Sequence, residues 1–326
     1  MVYDLPTMIG AERLARGLWW RSALSVVEGC TPVSPGCANC WAASAAHMRA
    51  GNPNPKVWKA NAGLTEHSWS YGVRFNGTVR CREDLLAKPL RTRRPTLWSV
   101  WCDLFHESVP FDFIDHALAV MALCPQHVFV VCTKRAERMS EYLMRDHADA
   151  ATGREGLRDS MNRAGMQLAG HPIFPSQRYG MVAGPGWPLP NLIPMVTAEN
   201  QKQLEARAPW LMKTPAACRA VAIEPALGGV KLSRWLHVPC GCCPKTKQCT
   251  WAAGFCASRP VGLSWVIVGQ ETGRGARPAD IGWFRSVRDQ CQAAGVPLWV
   301  KASPHGKGLI DEVEWRELPT LGKEPK

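Results

Sequence analysis

The stretch Trp265-Val-Ile-Val268-Gly269-Gln270-Glu271-Thr272-Gly273 reads as a buried strand that runs straight into polar chemistry. Four bulky apolar residues without polar alternation fit a strand covered on both faces. The glycines behind them let backbone approach a ligand closely. Working outward, similar apolar runs occur at Leu24–Val27, Leu97–Trp101, Val128–Cys132, Pro194–Val196, Ala220–Ile223 and Pro297–Val300. Helix-like stretches lie between them at Cys40–Arg49, Phe111–Cys124, Ala136–Ala148 (continuing toward Ala164), Gln201–Leu211 and Ile281–Ala294. Buried strands alternating with helices imply right-handed βα units and a mostly parallel sheet. Seven strands in 326 residues fit an α/β fold, a complete or partial (βα) TIM-like barrel, better than a six-stranded open sheet. The expectation is one barrel-like domain over residues 1–326 with two excursions. Gly170–Leu192, rich in Gly and Pro, reads as a loop or lid, and 236–256 as a cysteine-dense insertion.

The residues that follow the strands carry the functional argument. Cys102, Asp103, His106 and Glu107 follow the second strand, and Thr133, Lys134 and Arg135 follow the third. Thr197, Glu199 and Asn200 follow the fourth, Glu224 and Pro225 the fifth, Gly269 to Gly273 the sixth, and Lys301 the seventh. In a parallel barrel all these ends share the face where such folds place their chemistry. One charged residue after one strand is explained by helix capping, but a polar end on six of seven strands is not. Asp103, Glu199, Glu224 and Glu271 suit the amine and ribose hydroxyls of a cofactor, with Gly269 giving close approach; Lys134, Arg135 and Lys301 suit carboxylate or phosphate. Asp103, His106, Lys134 and Glu271 are the catalytic candidates. His106 fits a general base or a metal ligand, and equally a hydrogen-bonded structural histidine.

The first strand leads into Gly29-Cys30-Thr-Pro-Val-Ser-Pro-Gly-Cys37-Ala-Asn-Cys40-Trp41, with spacing C-x6-C-x2-C. Three sulfurs, rather than four, is the informative number. A structural zinc wants four closed ligands, whereas a [4Fe–4S] cluster on three thiolates leaves one iron open for a substrate or cofactor. Pro32, Pro35 and Gly36 bend the backbone so that Cys30, Cys37 and Cys40 can converge. The bland alternative is three thiols in a turn, against which the Gly and Pro punctuation of a C-x2-C argues.

A second group reads Cys240-Gly-Cys242-Cys243, then Cys249 and Cys256, with His237, Lys245 and Lys247 nearby. Five cysteines within so short an insertion resemble a zinc knuckle or ribbon, because such a piece cannot build its own core. Zinc, an auxiliary iron–sulfur cluster and free thiols all remain open there.

Composition narrows the setting. No stretch approaches a membrane span, and the N-terminal residues lack an apolar signal core. Fourteen cysteines without such a signal fit a soluble protein in a reducing, intracellular compartment. The formal charge of +12, with basic runs at 74–80, 91–94 and 245–247, attracts polyanions, of which DNA and RNA are the commonest. Fifteen tryptophans supply faces on which unpaired bases can stack, although core packing is the better reading for Trp19, Trp20, Trp98, Trp101 and Trp265.

Seven blocks in order then resemble the phage Gp37/Gp68 family: GCTPVSPGCANCWA (29–42), CDLFHE (102–107), TKRAERM (133–139), TAENQ (197–201), AIEPALGGV (222–230), WVIVGQETGRGARP (265–278) and RDQCQAAGVPLWVK (288–301). That resemblance implies a radical S-adenosylmethionine enzyme or a close structural relative. Cys30, Cys37 and Cys40 would then hold a [4Fe–4S] cluster whose fourth iron chelates S-adenosylmethionine. The six residues between the first two cysteines depart from the usual three, which keeps zinc open. The resemblance further implies phage DNA as substrate, with isomerisation of an amino-acid-substituted thymine such as glycyl-thymidine. A reductase would supply electrons, and the setting would be the bacterial host cytoplasm. A zinc-stabilised nucleic-acid-binding protein without catalysis is the alternative class. Four strand-end carboxylates weigh against it, because a pure DNA binder gains nothing from them.

Overall fold

A computed structural model describes residues 2–69, 72–145, 156–169, 187–236, 255–256, 259–260, 262–273 and 275–322. Its centre is a seven-stranded parallel sheet: β1 Ser22–Leu24, β2 Leu97–Val100, β3 Val128–Thr133, β4 Leu192–Thr197, β5 Ala220–Ile223, β6 Trp265–Val268 and β7 Leu298–Val300. The strands pair in chain order, each parallel to the next. Sequential parallel pairing with crossovers on one side curls a sheet toward a barrel. The result is a mixed α/β fold with a parallel half-barrel.

Burial on both faces makes the strands continuous apolar runs, and their period of two sorts alternate residues to opposite sides. Trp98, Val100, Phe129, Val131, Val221, Ile223, Val266 and Val268 join the core beneath the helices. That layer includes buried residues of Phe111–Leu123, Ala136–Leu143, Gln201–Lys213 and Ile281–Ala294. Leu97, Val128, Val130, Ile193, Met195, Ala220, Ala222, Trp265, Ile267 and Trp299 form a second core on the inner face. Tyr3, Leu5, Met8, Ile9 and Trp19 plug it from the N-terminal segment. Each fully buried Val, Leu or Ile contributes about 1.5–3 kcal/mol. The packed inner core therefore anchors the barrel and leaves the strands' C-terminal ends free to be polar.

Helix ends follow local chemistry. Asn200 accepts from Gln203 N (3.1 Å) and Asp280 from Gly282 N (2.7 Å), capping the starts of Gln201–Lys213 and Ile281–Ala294. Gly295 closes the latter in the left-handed conformation at φ 63°.

Two elements differ from the sequence expectation. The first strand stops at Leu24, not Val27, because Val27–Glu28 leaves the sheet to pair antiparallel with Arg80–Cys81. The helix from Ala136 ends at Leu143. Arg145 beyond it turns to Asp115, 2.7 Å away, and a separate helix spans Leu157–Ala169. Between β1 and β2 lies an insertion: the helices Trp41–Ala50 and Pro55–Asn61 and the hairpin Thr65–Ser68/Gly72–Phe75. It has its own small core of Ala43, Ala46, Leu64 and Phe75. Most of Gly170–Leu192, and Cys240, Cys242, Cys243 and Cys249, lie outside the described residues. Cys256 falls in the short strand Phe255–Cys256. No helix among the described residues is long and apolar enough to cross a membrane.

Candidate active site

The inner-face parity that builds the core turns polar toward the strand ends. Ser99 and Trp101, Cys132, Thr197, Glu224 and Lys301 continue the inward rows of β2, β3, β4, β5 and β7, and all line one cavity of about 430 Å³. That volume lies in the usual range of small-molecule sites, roughly 300–1,000 Å³. Cys30, Cys37 and Cys40 line the same cavity, with Asp103, Lys134, Arg135, Gln270, Glu271 and Thr272. Nine of the residues that the sequence singles out thus meet at the C-terminal mouth of the half-barrel. His106, Glu199 and Gly269 are not on the cavity wall; each instead supports residues that are.

The cysteine loop is held from three directions. Beneath it, Glu199 accepts from Gly36 N (2.9 Å) and from Arg207 Nη1 (3.0 Å). Burial would raise this carboxyl, but the hydrogen bonds from Ser34 and Gly36 and the Arg207 charge outweigh it and hold Glu199 below its ordinary value. A methyl on Gly36 would stand 3.0 Å from Glu199 Cδ, so any larger residue would press on this carboxylate. At the rim, Glu271 accepts from Asn39 Nδ2 (2.9 Å), Arg277 N (2.9 Å) and Arg277 Nη2 (2.5 Å), while Arg277 Nη2 also donates to Pro35 O (3.1 Å). Burial again works against ionisation, and the bonds from Arg277 and Asn39 prevail, lowering Glu271.

The third hold is Arg135, which donates to Thr31 O (3.2 Å), Glu107 Oε2 (2.8 Å) and Asp103 Oδ2 (3.1 Å) and lies 3.6 Å from Cys30 Sγ. Asp103 is saturated: its carboxylate also accepts from Thr133 Oγ1 (2.6 Å), Phe105 N (3.1 Å) and Lys134 N (3.2 Å). It therefore aims Arg135 at the cysteine loop. Behind the loop, His106 Nδ1 accepts from Ser108 N (3.1 Å), which puts the ring proton on Nε2 to donate to Thr31 Oγ1 (2.9 Å). Burial, then the Arg135 charge, lowers the His106 pKa and favours the neutral ring.

Burial pushes the Cys30 thiol up to about 11, with the Asp103 charge adding to it and Arg135 opposing it. Cys102 is pushed up to about 12 by burial and then by Cys30 and Cys40, and it holds a left-handed backbone at φ 58°. Cys40 is the N-cap residue of Trp41–Ala50. Deeper in the cavity Glu224 and Lys301 form an ion pair, and a methyl on Gly269 would stand 3.3 Å from Lys301 Cβ and 3.5 Å from Glu224 Cγ. Trp20, Trp101 and Trp41 form an edge-to-face aromatic wall, with centroids 5.1 and 4.8 Å apart.

Sequence reasoning missed Cys132, Asn39 and Arg277. Cys132 was readable from parity, since Val128, Val130 and Cys132 share one strand face. Asn39 carries no local signal, because its partner Glu271 is 232 residues away, whereas Arg277 lies only 6 residues beyond Glu271 and was within reach of a local reading.

Fold and site together define a parallel half-barrel protein with a cysteine-rich cavity at its strand C-termini. The chain belongs to the family DUF5131, described as a protein of unknown function, whose model matches residues 17–312. No curated protein and no solved structure matches it.

Proposed function

We propose that this protein is a radical S-adenosylmethionine enzyme, related to the phage Gp37/Gp68 proteins, that modifies thymine-type bases in DNA. The observation that carries the reading is the C-x6-C-x2-C loop opening onto the same cavity as the strand-end acids and bases. Three thiols of soft character fit an iron–sulfur cluster, and the buried Arg135 beside Cys30 suits an anionic thiolate assembly. Among the described residues no three His, Cys, Asp or Glu side chains already stand close enough to hold one ion. Cluster assembly on Cys30, Cys37 and Cys40 would therefore have to draw the three sulfurs closer together than they stand.

Cys30, Cys37 and Cys40 would hold such a cluster, which would supply one-electron cleavage of S-adenosylmethionine into methionine and a 5′-deoxyadenosyl radical, the reagent an unactivated C–H bond requires. The chain's own residues bind and orient. Lys134 and the Glu224–Lys301 pair offer charge of both signs to the cofactor's amine, carboxylate and ribose, with Gln270 and Thr272 beside them. Glu271, Glu199 and Asp103 act as positioning residues through Arg277, Gly36 and Arg135. Trp41 and Trp101, packed edge to face on the cavity wall, offer flat faces to the adenine or the target base. The +12 charge supports a DNA substrate, with the target base flipped from its stack at a cost of a few kcal/mol. A cellular reductase supplies the electron in the host cytoplasm. A subset of Cys240, Cys242, Cys243, Cys249 and Cys256 would hold a structural zinc or a second cluster.

The test is anaerobic reconstitution followed by iron, sulfide and zinc analysis, and mass spectrometry of 5′-deoxyadenosine with and without dithionite. Iron should depend on Cys30, Cys37 and Cys40, and reductant-dependent 5′-deoxyadenosine should rise with suitably modified DNA or nucleotide. Stoichiometric zinc at these cysteines with no iron, or no reductant-dependent product, overturns the reading in favour of a zinc-stabilised binding protein.

A further inference from the structure

Among the described residues, the three tryptophans that are exposed all fall within one short segment: Trp41, Trp58 and Trp69, at 52%, 39% and 102%. Trp19, Trp98, Trp265 and Trp299, by contrast, are buried in the cores. The segment also concentrates charge. Residues 41–82 hold six Lys or Arg against Glu66 alone, a formal +5 of the chain's +12. Three of those cations have structural tasks: Arg74 pairs with Glu66, Arg80 donates to backbone carbonyls including Ala62 O (2.7 Å), and Arg82 pairs with Glu28 and Asp84. Arg49, Lys56 and Lys59 are exposed on the surface, and Lys59 Nζ lies 5.9 Å from the Trp58 ring centroid.

We infer that this insertion is a landing surface for an unpaired nucleic-acid strand beside the cavity mouth, with Trp69 and Trp58 stacking on bases and Lys56 and Lys59 holding phosphates. The inference rests on the proposal that the substrate is a DNA base. It adds where the strand is gripped.

The chemistry favours nucleic acid over a protein partner. The exposed rings are flat and interspersed with cations, whereas a protein-docking patch tends to a contiguous apolar centre with charge pushed to its rim. Leaving a whole indole in water forgoes the burial that fixes tryptophan elsewhere in this fold. At the hairpin, His67 stands between Trp69 and His47 with centroids 6.2 Å from each, giving a row of flat side chains.

The surface is fixed rigidly to the site. Leu64 and Phe75 pack on Ala43 and Ala46 of the helix Trp41–Ala50, whose first residue lines the cavity and meets Trp101. Gly77 N donates to Cys30 O (3.2 Å), and Gly29 lies so close to Thr78 that a methyl there would stand 1.9 Å from its carbonyl oxygen. The hairpin's base thus touches the cysteine loop backbone to backbone. A strand stacked on the insertion is thereby presented to the cavity at a fixed distance.

The experiment uses full-length, anaerobically prepared protein and fluorescein-labelled 12-nucleotide single strands and their duplexes, read by anisotropy over a salt series. The wild type should prefer the single strand. Trp69→Ala should weaken that binding about tenfold, and Trp58→Ala by a similar factor, as expected for one lost base stack. Lys56→Gln/Lys59→Gln should reduce the log–log salt slope by about 1.4, the loss of two phosphate contacts. All three variants should keep wild-type melting and iron content, since these side chains are on the surface. Binding by the wild type that stays within twofold in every variant overturns this inference and leaves the DNA-substrate reading standing. No binding by the wild type to single strand or duplex overturns both.

Discussion

At the residue scale, the carboxylates divide into those that hold the cysteine loop and those that face the cavity. Asp103 and Glu199 have their oxygens committed to Arg135, Thr133, Gly36 and Arg207, and their residues are almost wholly buried. Each is costly to disturb, because removing one member of a buried pair strands the other charge. Glu199 makes this measurable by pH. Its folded pKa lies below the ordinary carboxylate value, so its stabilisation is present above the unfolded pKa of about 4.3 and is lost as pH falls through the lower folded value. Glu271 shifts in the same sense. The expected outcome is a melting temperature that drops in acid below about pH 4. Glu199→Gln should be less stable at neutral pH by about 2 kcal/mol, the worth of hydrogen bonds to a charged group. It should also show a shallower acid limb than the wild type. Parallel acid limbs would show that Glu199 does not carry this dependence.

At the element scale, the cysteine loop and the turn after β6 are shaped by glycines whose constraints differ in strength. Gly29 combines φ 84° with the 1.9 Å approach to the Thr78 carbonyl; Gly36 has ordinary φ but the 3.0 Å approach to Glu199; Gly273 has φ 99° and open space around it. Backbone cannot yield as a side chain can, so the costs should rank in that order. Gly273→Ala should cost about 1–2 kcal/mol from conformation alone. Gly36→Ala should cost about 1–3 kcal/mol from overpacking. Gly29→Ala should cost more than about 3 kcal/mol. Thermal melts check the order, and a Gly29→Ala protein as stable as the wild type would refute it. The same elements show what the sequence discloses. Six of the seven strands were legible because burial on both faces leaves runs of apolar residues, and the polar residues after them gave the cavity face; the first, Ser22-Ala-Leu24, is only partly buried and was expected at Leu24–Val27. The hairpin Thr65–Ser68/Gly72–Phe75 was not legible. Its first strand, Thr65-Glu-His-Ser68, has no apolar residue to mark it, although Trp69, Tyr71, Val73 and Phe75 alternate behind it, and its packing rests on Phe75 and Leu64 against a helix some way back in the chain. The clamps were hidden for the same reason, since Gly36 and Glu199 are 163 residues apart.

At the scale of the whole molecule, a half-barrel has an unsolved edge, because β7 would present unpaired amides and carbonyls on its outer side. The C-terminal segment covers it. Val300 N donates to Trp315 O (2.8 Å), Glu317 N to Leu298 O (2.9 Å), and Leu298 N to Glu317 Oε2 (2.9 Å). Trp265 Nε1 reaches Glu317 O (3.0 Å), and Tyr3 N reaches Leu321 O (3.1 Å). That last bond joins the segment to the N-terminal plug, so one strap closes the inner core from both ends of the described chain. Removing residues 313–326 deletes, besides the bond from Trp315 N to Gly308 O, the four backbone-donated hydrogen bonds that tie the segment to β7 and Tyr3, at about 1 kcal/mol each, and the burial of Leu321, about 2 kcal/mol. The loss of about 6 kcal/mol is comparable with the whole stability of many domains, about 5–15 kcal/mol. The truncated chain should therefore melt far below the full chain and expose the buried tryptophans Trp265 and Trp299, seen as a red shift of fluorescence. Leu321→Ala alone should cost about 2–5 kcal/mol, as a buried leucine truncated to alanine does. If the truncated protein melts within a few degrees of the full chain, the strap is an ornament on a barrel that closes by other means, and the edge of β7 needs a different cover.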